Sequence, residues 1–126
     1  INSGKVLFDL YKETRQKKNN KAAMDLLVEQ LKRQPRTLEG GFWHKLIYQH
    51  QMWLDGLYMA SPFLARYGAE FNRPDLIDEA VKQFTLCHKH TYSPETGLYH
   101  HAWDESKSQR WQIRKTVLHL IFGDAV

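Results

Sequence analysis

The sequence holds a single cysteine, Cys87, among 126 residues. One thiol excludes an internal disulfide framework and suits a reducing compartment, so a cytoplasmic protein is expected. Cys87 itself reads as a small buried apolar residue, not as a nucleophile. No apolar run reaches 18 residues, so no membrane span is expected. A block of basic residues is missing too. The 18 Lys and Arg exceed the 14 Asp and Glu by a formal +4, but Lys17-Lys18, Lys21 and Lys32-Arg33 are interleaved with acids. They read as solvated helix faces, and no nucleic-acid partner is expected. The H-x-H pair His88 and His90 makes a poor metal site on a helix, because residues two apart do not share a face. No metal and no cofactor is expected. The chain opens on Ile1 instead of Met, so it reads as a fragment with room upstream for further segments, a signal peptide included.

What is present is ordinary for a globular chain: 42% hydrophobic, 25% charged and 13% aromatic residues. Four helices are predicted. The first covers 3–16, with Ser3 as cap and Val6, Leu7, Leu10 and Tyr11 on one stripe. A second covers 20–33, with Ala23, Leu26, Leu27 and Leu31 inward and Pro35 as its stop. The third runs from Gln51 to Tyr67, apolar around most of its circumference, with Pro62 as a possible kink or break. The fourth starts near Pro74 and continues through Leu76, Ile77, Ala80, Val81, Phe84 and Cys87. "YSPETG" then reads as a turn.

One repeat stands out. "EGGFWH" (39–44) and "ETGLYH" (95–100) share Glu-x-Gly-apolar-aromatic-His, with two helices between the copies. Stacked helical hairpins are the natural reading, and one or two of them cannot bury both faces. The expected fold class is all-α, a segment of a larger ring or array of helical hairpins.

The stretch "QMWLDGLYMA" (51–60) poses the chemical question, because it sets one acid, Asp55, among apolar and aromatic residues. An ionised carboxylate is costly to bury without a partner. Two readings stay open from the residues alone. Asp55 is either a helix-interior acid hydrogen-bonded to a nearby loop, or an acid kept protonated by apolar surroundings that include Trp53, Leu54 and Tyr58. His44, His101, Trp43, Trp53 and Trp103 read first as structural or core residues.

"PRTLEGGFWHK", "QMWLDGLYM", "YGAEFNRPDLIDEAVKQF" and "ETGLYHHAWDESKSQRW" resemble the unsaturated rhamnogalacturonyl hydrolases of glycoside hydrolase family 105, over residues 3 to 111. Family 88, the unsaturated glucuronyl hydrolases, is the nearest confusable group. One local departure is Gln49 and His50 after Tyr48, where Pro often follows the Tyr. The resemblance implies an (α/α)6 barrel, of which residues 1–111 are a middle section. It implies hydrolysis of unsaturated galacturonyl-rhamnose oligosaccharides from pectin, with an unsaturated uronic-acid oligosaccharide as the partner. Asp55 matches the general acid/base. His44 and His101 match positions lining the site, His44 for the uronate or for holding Asp55, and His101 for the sugar or the incoming water. Trp43, Trp53 and Trp103 are candidates to stack on sugar faces. A second nucleophilic carboxylate is not needed, and no other acid is expected in so apolar a setting. A further acidic residue of the family falls upstream of Ile1. The alternative is a non-enzymatic helical-hairpin module that binds saccharide or protein.

Beyond Trp111 the resemblance stops. One nucleotide restored after the Trp111 codon would let the following codons read toward the family's Gly-x-x-x-x-Phe-Trp-Gly-Arg loop. Residues 112–126 are therefore expected to be a non-homologous tail produced by a frameshift, and the fragment by itself is expected to be inactive.

Overall fold

The computed structural model describes residues 1–109. The tail expected at 112–126 lies outside them. Helices dominate, as expected of an all-α segment: α1 (Val6–Glu13), α2 (Lys17–Lys32), α3 (Leu54–Glu70) and α4 (Pro74–Thr91). Four short strands accompany them: β1 (Gln51–Trp53), β2 (Tyr92–Ser93), β3 (Leu98–Tyr99) and β4 (Ala102–Asp104). None of these helices is long and apolar enough to cross a membrane. The described residues form two compact units, one of 1–34 with 58–81 and one of 35–57 with 82–109.

In the first unit a 3-10 turn at Asn2–Lys5 leads into α1. The helix expected over 3–16 ends earlier, at Thr14. There the backbone becomes extended, and the Thr14 hydroxyl donates back to the Leu10 carbonyl at 2.7 Å while accepting from the Asn20 side chain at 3.1 Å. Such a hydroxyl gives the backbone an alternative to continuing the helix. The buried centre of α1 is Phe8, outside the expected stripe, and Val6 and Leu10 are exposed. Phe8 meets Phe63 of α3 with ring centroids 5.4 Å apart. Burying the largest ring removes more apolar surface than burying Val or Leu, so it sets the roll of the helix. In α2 the inward residues are Met24, Val28 and Leu31, and Leu26 is 72% exposed.

Pro62 does not break α3. A proline there leaves the Tyr58 carbonyl, four residues earlier, without its helical donor. Lys5 fills the gap: its ammonium donates to the Tyr58 carbonyl at 3.0 Å and lies 3.8 Å from the centre of the Tyr58 ring. Pro74 opens α4, as predicted.

The second unit holds the strands. β2 and β3 form a hairpin, Tyr92 opposite Tyr99 and Ser93 opposite Leu98, where only a turn was expected. Gly97 takes φ +71°, the left-handed conformation that favours glycine. Gln51–Trp53, expected to begin the third helix, are instead a strand antiparallel to β4, and α3 starts at Leu54. Pairing partners forty-nine or more positions away override local helical pattern here. The core of this unit is Met52, Leu54 and Cys87, with Leu57, Leu86, Tyr99 and Trp103 packed against it. Burial pushes the Cys87 thiol pKa up, which suits its role as a small apolar residue.

Candidate functional site

The pairing of β1 with β4 sorts the candidate residues. Met52 lies opposite Trp103, and Trp53 opposite Ala102. Successive strand residues point to opposite faces. Met52 and Trp103 therefore enter the apolar core, and Trp53 faces the other way. The ladder extends at both ends: Leu54 N–H donates to the His101 carbonyl at 2.9 Å, and Glu105 N–H donates to the His50 carbonyl at 3.0 Å. On a third side, His44 N–H donates to the Gln51 carbonyl at 2.7 Å.

Around Trp53 the rings gather. His44 stacks on it with centroids 4.7 Å apart and planes 6° from parallel. Tyr48 stacks at 4.9 Å and 13°, and His101 meets it edge-on at 5.4 Å and 70°. The Trp53 indole N–H donates to Gln51 Oε1 at 2.9 Å, which fixes its orientation from a buried side chain. Asp55 follows two residues later, in the first turn of α3. An acid is favoured there by the unpaired N–H groups and dipole of the helix start. His101 Nε2 stands 3.6 Å from Asp55 Oδ1.

The apolar enclosure expected for Asp55 is not built by these residues: its side chain keeps 55% of its exposure. The helix begins one residue before it, so it cannot be a helix-interior acid. Among the described residues the buried acid is a different one. Asp104, fully buried at the end of β4, accepts from the Ser106 hydroxyl at 2.7 Å, the Ser106 N–H at 2.9 Å and the Ser108 N–H at 3.0 Å. Gln109 N–H and the Ser108 hydroxyl also donate to it, at 3.2 Å each. Burial opposes its ionisation, but these donors outweigh it and hold its carboxyl below the usual range. These donors make its setting a polar one, unlike the apolar setting expected for Asp55, and Asp104 is an anchor for the 104–109 turn.

His44 is held neutral more firmly than an ordinary imidazole. Burial lowers its pKa most, the nearby charges of Lys45 and His101 lower it further, and Asp55 opposes them. The Nδ1 atoms of His44 and His101 are buried with no hydrogen-bond partner among the described residues.

The structure therefore brings Asp55, His44, His101 and Trp53 together and leaves two tryptophans elsewhere. Trp103 stacks on His90 at 3.8 Å and packs against the core. Trp43 packs on His50 at 4.6 Å. His88 and His90 part ways as their spacing requires: His88 bonds Tyr99 at 2.7 Å, and His90 meets Glu39 at 3.2 Å. Sequence reasoning missed Tyr48 and Gln51. Tyr48 carried a signal, a large ring in a connecting loop, but a glutamine that positions an indole has none.

Comparison with known proteins places the chain. The model of "Glycosyl Hydrolase Family 88" matches residues 1–119. Unsaturated rhamnogalacturonyl hydrolase YesR of Bacillus subtilis is 30% identical over 109 residues, 82% of this chain and 32% of that protein. A family 105 glycoside hydrolase of C. acetobutylicum superposes with a TM-score of 0.80 at 45% identity, covering 86% of this chain and 30% of the other. A possible family 105 member from Salmonella enterica superposes at 0.73 with 33% identity, covering 81% and 28%. The chain thus spans about a third of the length of these relatives.

Proposed function

The chain belongs to glycosyl hydrolase family 88, with family 105 structures among its relatives, and from that premise we propose that it carries the acid/base section of an unsaturated rhamnogalacturonyl hydrolase. The observation that supports this reading is the grouping of Asp55, His101, His44 and Trp53 at the β1–α3 junction. The substrate is an unsaturated galacturonyl-rhamnose oligosaccharide of pectin, and its C4=C5 bond is a vinyl ether. Asp55 gives a proton to C4, and positive charge develops at C5 and the ring oxygen. Water adds at C5 and returns a proton to Asp55. The resulting hemiketal opens, and the sugar leaves from C1. One carboxyl serves both proton transfers, unlike the usual two-carboxylate scheme. The exposure of Asp55 leaves its carboxyl accessible to a sugar ring. Neutral His44 stacked on Trp53, and His101 beside the acid, supply polar contacts around an aromatic surface of the kind sugars pack on.

The test is the ultraviolet absorbance of the unsaturated uronide, followed for a full-length protein carrying these residues and for its Asp55→Asn form. Loss of absorbance is expected with the first and is reduced by at least about 100-fold in the second, the scale of a general acid/base. Equal rates would remove Asp55 from the chemistry. No loss with the intact protein would favour a saccharide- or protein-binding module. Faster turnover of unsaturated glucuronyl substrates would assign a glucuronyl hydrolase instead.

A further inference from the structure

We propose that Gly56 is a positioning residue, whose missing Cβ forms the seat for the His44 imidazole beside the Asp55 turn. A Cβ placed on Gly56 would lie 2.9 Å from His44 Nδ1 and 3.8 Å from both His44 Cγ and Cα. The first distance is inside van der Waals contact. Nδ1 is bonded to the root of the ring, so it cannot swing clear without moving the whole imidazole. That ring is stacked on Trp53, and the His44 backbone is tied to the Gln51 carbonyl. Relief of the clash would therefore disrupt the stack or the ladder.

The backbone gives no other reason for glycine at 56. Its φ is not among the positive values, which among the described glycines fall at Gly40 and Gly97. It lies within α3, where alanine is the better helix former. The cost of glycine in that turn is explained by the approach of His44. The buried, unpartnered Nδ1 is the atom facing the seat. Asp55 precedes Gly56 in the chain, so the seat ties the ring to the turn that presents the acid. The inference rests on the proposed reaction only for what His44 is for, not for where it sits.

A double-mutant cycle on the 126-residue chain tests it without turnover. Gly56→Ala is expected to lower the melting temperature when His44 is present and to raise it in a His44→Ala background. In Gly56→Ala the His44 ring protons should lose the upfield NMR shift that stacking on Trp53 gives them, and the ring should titrate at higher pH as it gains solvent. If Gly56→Ala alone does not fold, a cooperative melt regained by the double variant supports the seat, and an unfolded double variant overturns it. A higher melting temperature in both backgrounds, or unmoved His44 resonances, overturns it as well. Failure of the absorbance assay would leave these results intact.

Discussion

Two aspartates of this chain show how surroundings decide what a carboxyl can do. Asp104 is buried but held by at least five donor groups, so it is an anchor. Asp55 is open, with a histidine nearby, so it is available to a ligand. Replacing Asp104 by Ala should cost about 3 kcal/mol, the scale of hydrogen bonds to a charged group, read as a shift in the urea midpoint. Its carboxyl ionises below the usual 3.8 in the folded chain. The folded state thus binds fewer protons than the unfolded one in that range. The contribution is complete above pH 3.8 and is lost as pH falls through the folded value. Asp104→Asn should accordingly flatten the acid limb of a stability-against-pH curve. His44, lowered from 6.5, behaves likewise one window higher. Stability should decline as pH drops below 6.5, and His44→Gln should abolish that part of the decline in a melt series. Neither acid's setting was legible in the sequence. "QMWLDGLYMA" looks apolar around Asp55 and "AWDESKS" looks polar around Asp104, yet burial is the reverse, because β4 turns Asp104 inward and the start of α3 turns Asp55 outward.

Among the elements, α3 gives a clean case of compensation. Pro62 removes a donor from the helix interior, and a lysine from outside α3 replaces it at the Tyr58 carbonyl. Lys5→Met should cost about 1 kcal/mol in the native chain and much less alongside Pro62→Ala, where the backbone N–H returns. A double-mutant cycle by thermal melting checks the difference. The helices themselves were legible: long periodic segments and the proline at position 74 identified all four. Strands of two or three residues were not, since so short a piece has no period to read. That one omission left Trp53 on the expected helix and hid the split that sends Trp103 to the core and Trp53 to the ring cluster.

At the scale of the whole chain, much apolar surface stays in contact with solvent. Leu26, Leu38, Ile47 and Phe84 are all exposed, Leu38 by 95%. Large apolar side chains left in solvent favour association where they adjoin. The 126-residue chain is expected to self-associate as its concentration rises, visible by light scattering, and polar replacements at these four positions should suppress this while leaving the helical circular dichroism unchanged. The repeat of Glu-x-Gly-apolar-aromatic-His had pointed to a piece of a larger helical assembly, and the share of its relatives that the chain spans agrees with that in size. The positive φ of Gly40 and of Gly97 falls at different places in the two copies, so the repeat is one of composition and spacing more than of backbone shape.

The passage from β1 into α3 has no loop: Trp53 ends the strand and Leu54 opens the helix. Such a joint forgives changes of side chain but not changes of length. One residue added between Gln51 and Asp55 would exchange the two sides of the strand and turn every later position of α3 by about 100°. An insertion of alanine after Trp53 should therefore scramble the near-ultraviolet tryptophan signal far more than alanine in place of Trp53. In lineages that share this joint, the spacing from Gln51 to Asp55 is expected to outlast the identities of the residues within it.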